Sequence, residues 1–231
     1  MIEKFIVLDV EGGSACRPYN VGYIIADRNG KIYKKHSFAF PECFWENIVT
    51  SLNNTTVKEM TCKNIQEICK QQGVKKTKRK YKNISIDNFF NFFTKEIKRY
   101  KIKKLYAYNV AFDKGSLNRL FGERFNEINL EYRDIMTGIF HTKLLTKRYI
   151  DFCLKNEYVT DKGNFKYSAE IVYRFLTGDK TFNEEHTGLA DVLIEFDILK
   201  YVIKNHKKVD YSKNPCIWRE LKKFAESKEY I

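Results

Sequence analysis

The 231-residue sequence lacks the marks of several protein classes. Its six cysteines, at 16, 43, 62, 69, 153 and 216, form no Cys-x-x-Cys pair, and no histidine stands at zinc-finger spacing from a cysteine pair. A zinc finger is therefore excluded, and the cysteines read as reduced thiols of a cytoplasmic protein. No apolar run approaches bilayer length, which predicts a chain without a membrane segment. The apolar run near the N-terminus is too short for a secretory signal, and acidic residues follow it at once. Neither an internal repeat nor a long linker is evident. Acidic residues are scarce against basic ones: 29 Asp and Glu face 42 Lys and Arg, for a formal net charge of +13. Such an excess favours a polyanionic partner through counterion release, with biased codon usage as the competing origin.

Hydrophobic residues make up 43% of the chain and aromatics 15%, enough for a packed core. Phe5-Ile6-Val7-Leu8 is a continuous apolar run ending at Asp9, the pattern of a buried central strand. A second strand over Val21–Ala26, a turn at Asp27-Arg28-Asn29-Gly30 and a third strand over Lys31–Phe40 complete a meander. Phe44–Leu52 and Val57–Gln72 are candidate helices, followed by the basic run 74–82, which reads as a solvated loop or a phosphate-contacting edge. Further on, the pattern predicts a helix capped by Asp87 and reaching Tyr100, and a strand over Leu105–Val110. A helix over Asp113–Phe125 and a strand over Leu130–Ile135 follow. Helices are expected over Thr137–Tyr149, Ser168–Leu176 and Thr187–Ile203, the last with Leu189, Val192, Leu193, Phe196 and Leu199 on one stripe. A C-terminal helix is expected to open at Pro215, capped by Asn214. It carries Trp218 and either packs on its own domain or docks on a partner such as a polymerase. The order predicts an α/β domain with a mixed central sheet flanked by helices.

Three segments place carboxylates at element ends. In Asp9-Val10-Glu11 the two acids are two residues apart, so both project from one face of the first strand. Like charges there are unfavourable without a cation. Gly12 and Gly13 follow, leaving bare backbone where a ligand can approach. In Asn109-Val110-Ala111-Phe112-Asp113 the acid stands just past a strand, where it serves as a helix cap or as something more. In His186-Thr187-Gly188-Leu189-Ala190-Asp191 the histidine precedes a helix and the acid lies in its first turns.

In this order the three segments resemble the motifs of the DEDDh, or DnaQ-like, 3′→5′ exonuclease family, from Asp9 to about Leu199. The resemblance implies a ribonuclease H-like fold. It implies that Asp9, Glu11, Asp113 and Asp191 hold two Mg²⁺ or Mn²⁺ ions, with His186 as general base. Gly12, Gly13, Asn109 and Phe112 are the implied substrate contacts, and a single-stranded DNA or RNA 3′ end is the implied partner. Thr187 stands where the sister type carries tyrosine, which favours the histidine type. Two departures stand out. Gly12 replaces a common threonine, leaving substrate choice open, and Gly188 replaces a common alanine, a small change. Residues 1–205 are expected to form the exonuclease domain, with a segment at about 41–83 that aligns with no relative, and 206–231 a helical extension packed on it. A binding module that keeps the fold and has lost the chemistry is the alternative.

Overall fold

The structure is a computed structural model, and it describes residues 2–12, 16–40, 42–43, 82–184, 186–205, 209, 211 and 215–230. The candidate helices Phe44–Leu52 and Val57–Gln72 lie outside the described residues, as do Gly13, Asn214 and nearly all of the basic run.

Strands β1 (Lys4–Glu11), β2 (Asn20–Asp27) and β3 (Ile32–Ala39) form the expected antiparallel meander. The Asp27 carboxylate accepts the backbone N–H groups of Asn29 and Lys31, which closes the turn between β2 and β3. Three further strands are β4 (Lys82–Asn83), β5 (Lys104–Ala107) and β6 (Glu131–Asp134). Among the described residues they join one sheet in the order β4-β3-β2-β1-β5-β6. β1 pairs with β5 in parallel, and β5 with β6 in parallel, so the sheet is mixed.

Both faces of this sheet are covered, and the alternation along β1 sorts its residues between them. Ile6, Leu8 and Val10 face one core, shared with Phe89 and Phe93 of α1 (Ile86–Tyr100) and Leu117 and Phe121 of α2 (Val110–Phe121). Phe5 and Val7 face the other core. That core is built by α3 (Ile135–Ile139), a π-helical turn (Phe140–Leu144), α4 (Lys147–Lys155), α5 (Ala169–Thr177), α6 (Gly188–Asn205) and α7 (Ile217–Ser227). Asp9 and Glu11 continue the Phe5–Val7 face, which is the face that α6 covers.

Several element ends differ from the sequence reading. Ser85, not Asp87, caps α1 by accepting the Asn88 N–H at 3.4 Å, and Asp87 sits in the first turn. β5 stops at Ala107 because Asn109 is left-handed (φ 65), and α2 starts at Val110. Asp113 is thus inside the first turn of α2 and is not its cap. α2 ends at Gly122, whose φ of 64 suits glycine, and a 3₁₀ turn over Gly122–Glu127 follows. The helix expected over Thr137–Tyr149 is three pieces, because Thr146 recaps the chain on the Tyr149 N–H at 3.3 Å and starts α4. α7 opens at Ile217 rather than Pro215. Ile217, Leu221 and Ala225 are buried in the core, whereas Trp218 is 40% exposed. Among the described residues no helix is long and apolar enough to cross a membrane.

Candidate functional site

The carboxylates meet because a helix touches a strand at two glycines. A Cβ on Gly22 of β2 would lie 2.1 Å from the Gly188 carbonyl carbon. One on Gly188 would lie 2.6 Å from the Gly22 nitrogen and 3.2 Å from the Asp9 carbonyl oxygen. Only two residues without side chains allow so close an approach. Gly188 is therefore no small change from alanine in this chain. Asn20, buried at the start of β2, secures the contact: its Oδ1 accepts the Gly188 N–H at 3.0 Å, and its Nδ2 donates to the Phe38 carbonyl at 2.6 Å. β1 pairs Asp9 with Gly22, so the start of α6 rests directly on Asp9.

Asp9, Glu11 and Asp191 converge as a result, with one ligand oxygen from each lying within 4.8 Å of the others. Asp191 is buried, and Asp9 and Glu11 are half-buried. Burial, reinforced by neighbouring carboxylates, holds the Asp9 carboxyl well above its ordinary range. Glu11 is pushed up to about 8, first by burial and then by Asp191. Asp113 is 1% exposed and lies beside this group, its Oδ1 accepting the Val10 N–H at 3.2 Å. Its repulsion is felt at both Asp9 and Glu11, although it stands outside the three-oxygen cluster.

The other sequence candidates are more scattered. His186 is exposed, with a left-handed backbone (φ 52), two residues before α6. Gly12 is half-buried just past β1. Asn109 is exposed at the start of α2, and its side chain makes no capping bond. Phe112 is half-buried and packs against the α1–α2 core. Four residues near the cluster escape a sequence reading. Glu195 is 3% exposed on α6, accepts the Tyr108 N–H at 3.1 Å, and is the strongest electrostatic neighbour of Asp9. Glu184 is pushed up to about 7 by burial and by Asp191, with His186 opposing. Burial raises the hydroxyl pKa of Tyr19, helped by Glu11, Asp9 and Asp191, and that of Tyr108, helped by Asp134 and Glu195. For Glu195 a signal existed: it is the one charge within Val192-Leu193-Ile194-Glu195-Phe196, one helical turn beyond Asp191.

No protein-family profile matches the chain, and no curated protein matches it. Among solved structures it is similar to E. coli exonuclease I in complex with a 5cy-dT13 oligonucleotide. The TM-score is 0.52 and the identity 15%, over 90% of this chain and 42% of that one. The same protein in complex with a dA16 oligonucleotide gives a TM-score of 0.48 at 15% identity, again over 90% of this chain and 42% of that one. The chain thus spans about two fifths of the length of the exonuclease I chain. The 0.52 match, with the sheet order and the two helical layers, identifies an α/β ribonuclease H-like fold. Beside the contact of its two glycines this fold carries an acidic cluster that could hold a metal ion.

Proposed function

We propose that this chain is a two-metal-ion 3′→5′ exonuclease of the DEDDh type that removes nucleotides from the 3′ end of DNA or RNA. The observation that carries the reading is the convergence of Asp9, Glu11 and Asp191 within 4.8 Å. Three carboxylates that close repel one another, and burial worsens the repulsion, so the group fits a bound cation better than an empty pocket. The donors are all carboxylate oxygens, which suits Mg²⁺ or Mn²⁺. Asp9, Glu11 and Asp191, with Asp113 beside them, are the residues that would hold the ions. Bound there, the ions supply an activated water and stabilise charge on the leaving oxygen.

The remaining steps belong to the chain itself. His186 accepts the proton of the attacking water at an imidazole nitrogen, and its exposed place before α6 leaves it open to solvent and substrate. Gly12 and Gly13 let the terminal nucleotide approach the backbone, while Asn109 and Phe112 flank it from the start of α2. The net charge of +13 supports a nucleic-acid substrate. The division into a catalytic unit over 1–205 and an extension over 206–231, and a cytoplasmic setting, are part of the same proposal.

The test is a cleavage time course on 5′-labelled single-stranded DNA and RNA with Mg²⁺, Mn²⁺ or EDTA, run beside Asp9→Ala. A metal-dependent ladder shortening from the 3′ end, absent in the variant, is expected, and it also reveals the preferred sugar. An unaltered rate in Asp9→Ala would sink the site assignment. No cleavage of either substrate in either metal would move the chain to the binding-module reading.

A further inference from the structure

Glu195 lies one turn beyond Asp191 on α6, so the two acids share a side of the helix. It is 3% exposed, and its Oε2 accepts the backbone N–H of Tyr108 at 3.1 Å. A buried carboxylate in place of an aliphatic side chain is unfavourable unless its bonds compensate. This bond falls at a particular place. β1 and β5 pair Ile6 with Leu105 and Val7 with Tyr106, and continuing that register sets Tyr108 beside Asp9. The next amide, Asn109 N–H, donates to Asp134 Oδ1 at 2.9 Å. Two consecutive amides are thus held by carboxylates from two different elements. They lie just before the left-handed residue Asn109 (φ 65) that launches α2, with Asp113 in the first turn of that helix. One buried side chain therefore ties the helix that carries Asp191 to the turn that aims Asp113.

We propose that Glu195 is a positioning residue of the metal centre, and that it works by reach: its carboxylate oxygen on the Tyr108 N–H sets the separation of Asp191 from Asp113. The inference rests on the metal-centre reading above. It predicts that length matters more at this position than charge, even though the charge is felt at Asp9. Glu195→Gln keeps the length and an acceptor oxygen. Glu195→Asp keeps the charge and falls one methylene short.

The experiment is calorimetric titration of Mn²⁺ into the full chain and the two variants, with thermal melts to establish that each is folded. Glu195→Gln, which also removes the charge felt at Asp9, is expected to lose less affinity than Glu195→Asp. Glu195→Asp is expected to bind about tenfold more weakly, the usual scale for loss of a group that orients metal ligands. Unchanged affinity in Glu195→Asp overturns the inference, and so does a Glu195→Gln protein weakened as much as Glu195→Asp. An unaltered protein that takes up no Mn²⁺ overturns the metal-centre reading, and this inference with it. Since no arm uses cleavage, a chain that binds Mn²⁺ and cuts nothing still decides the role of Glu195.

Discussion

At Glu11 the proton is held first by burial and then by the neighbouring Asp191. Its folded pKa of about 8 lies above the ordinary 4.5, so between those values the folded chain retains a proton that the unfolded chain has released. A carboxyl raised in this way gives stability that is complete below about 4.5 and is lost as pH climbs through about 8. The metal-free protein is therefore expected to melt at progressively lower temperature from pH 5 to pH 8, and Glu11→Gln to flatten that slope; calorimetric melts in EDTA measure both. At His186 the prediction is kinetic. His186→Ala should slow cleavage by about 10²–10⁴-fold, the usual worth of a general base, and single-turnover rates would reveal a residue without that role by staying level. Asp9 and Glu11 were legible as a pair because the strand period puts them on one face, while Asp191 became a candidate through the resemblance carried by the three segments together. Glu195 was not, since a lone acid in an apolar helix reads as a position at the edge of its polar face. Glu195 lies instead on the buried side of α6 with Val192, Phe196 and Leu199, while Lys200, Tyr201 and Lys204 make the exposed side.

Among the elements, α6 is the one whose seat decides the site. The Gly22–Gly188 contact leaves no room for a methyl group, since the nearest atoms are backbone and cannot rotate away. Gly188→Ala should cost about 1–3 kcal/mol, the usual scale of overpacking, and should weaken Mn²⁺ binding by lifting Asp191 from Asp9. Denaturant melts and calorimetry check the two effects, and an alanine variant of unchanged stability would refute the account of the contact. Strand pattern made the meander readable, because Phe5–Leu8 and Val21–Ala26 alternate between two cores. The start of α2 was misread because a left-handed asparagine carries no sequence mark beyond its own identity. The single helix expected over Thr137–Tyr149 failed for a different reason: its apolar spacing persists across the π-helical turn, and only the Thr146 cap divides it.

For the whole molecule, the sheet and its two helical layers follow from alternation and element order, and the mixed-sheet architecture was legible for that reason. Which nucleic acid the chain meets is not written in the same pattern. Its net charge of +13 leads to a definite expectation nonetheless. Replacing Lys75, Lys76, Lys78, Arg79 and Lys80 by glutamine should weaken oligonucleotide binding and reduce its dependence on salt, measured by anisotropy from low to physiological ionic strength. An unchanged salt slope would remove that run from the binding surface. Asp9 and Glu11 come from the first strand and Asp191 from the last third of the chain, and the three meet only when α6 settles on the Gly22 strand. A polypeptide still emerging from the ribosome has the first two acids and lacks the third, so it holds no assembled cluster. The cluster is thus a property of the completed fold, and a fragment that ends before α6 has Asp9 and Glu11 without Asp191.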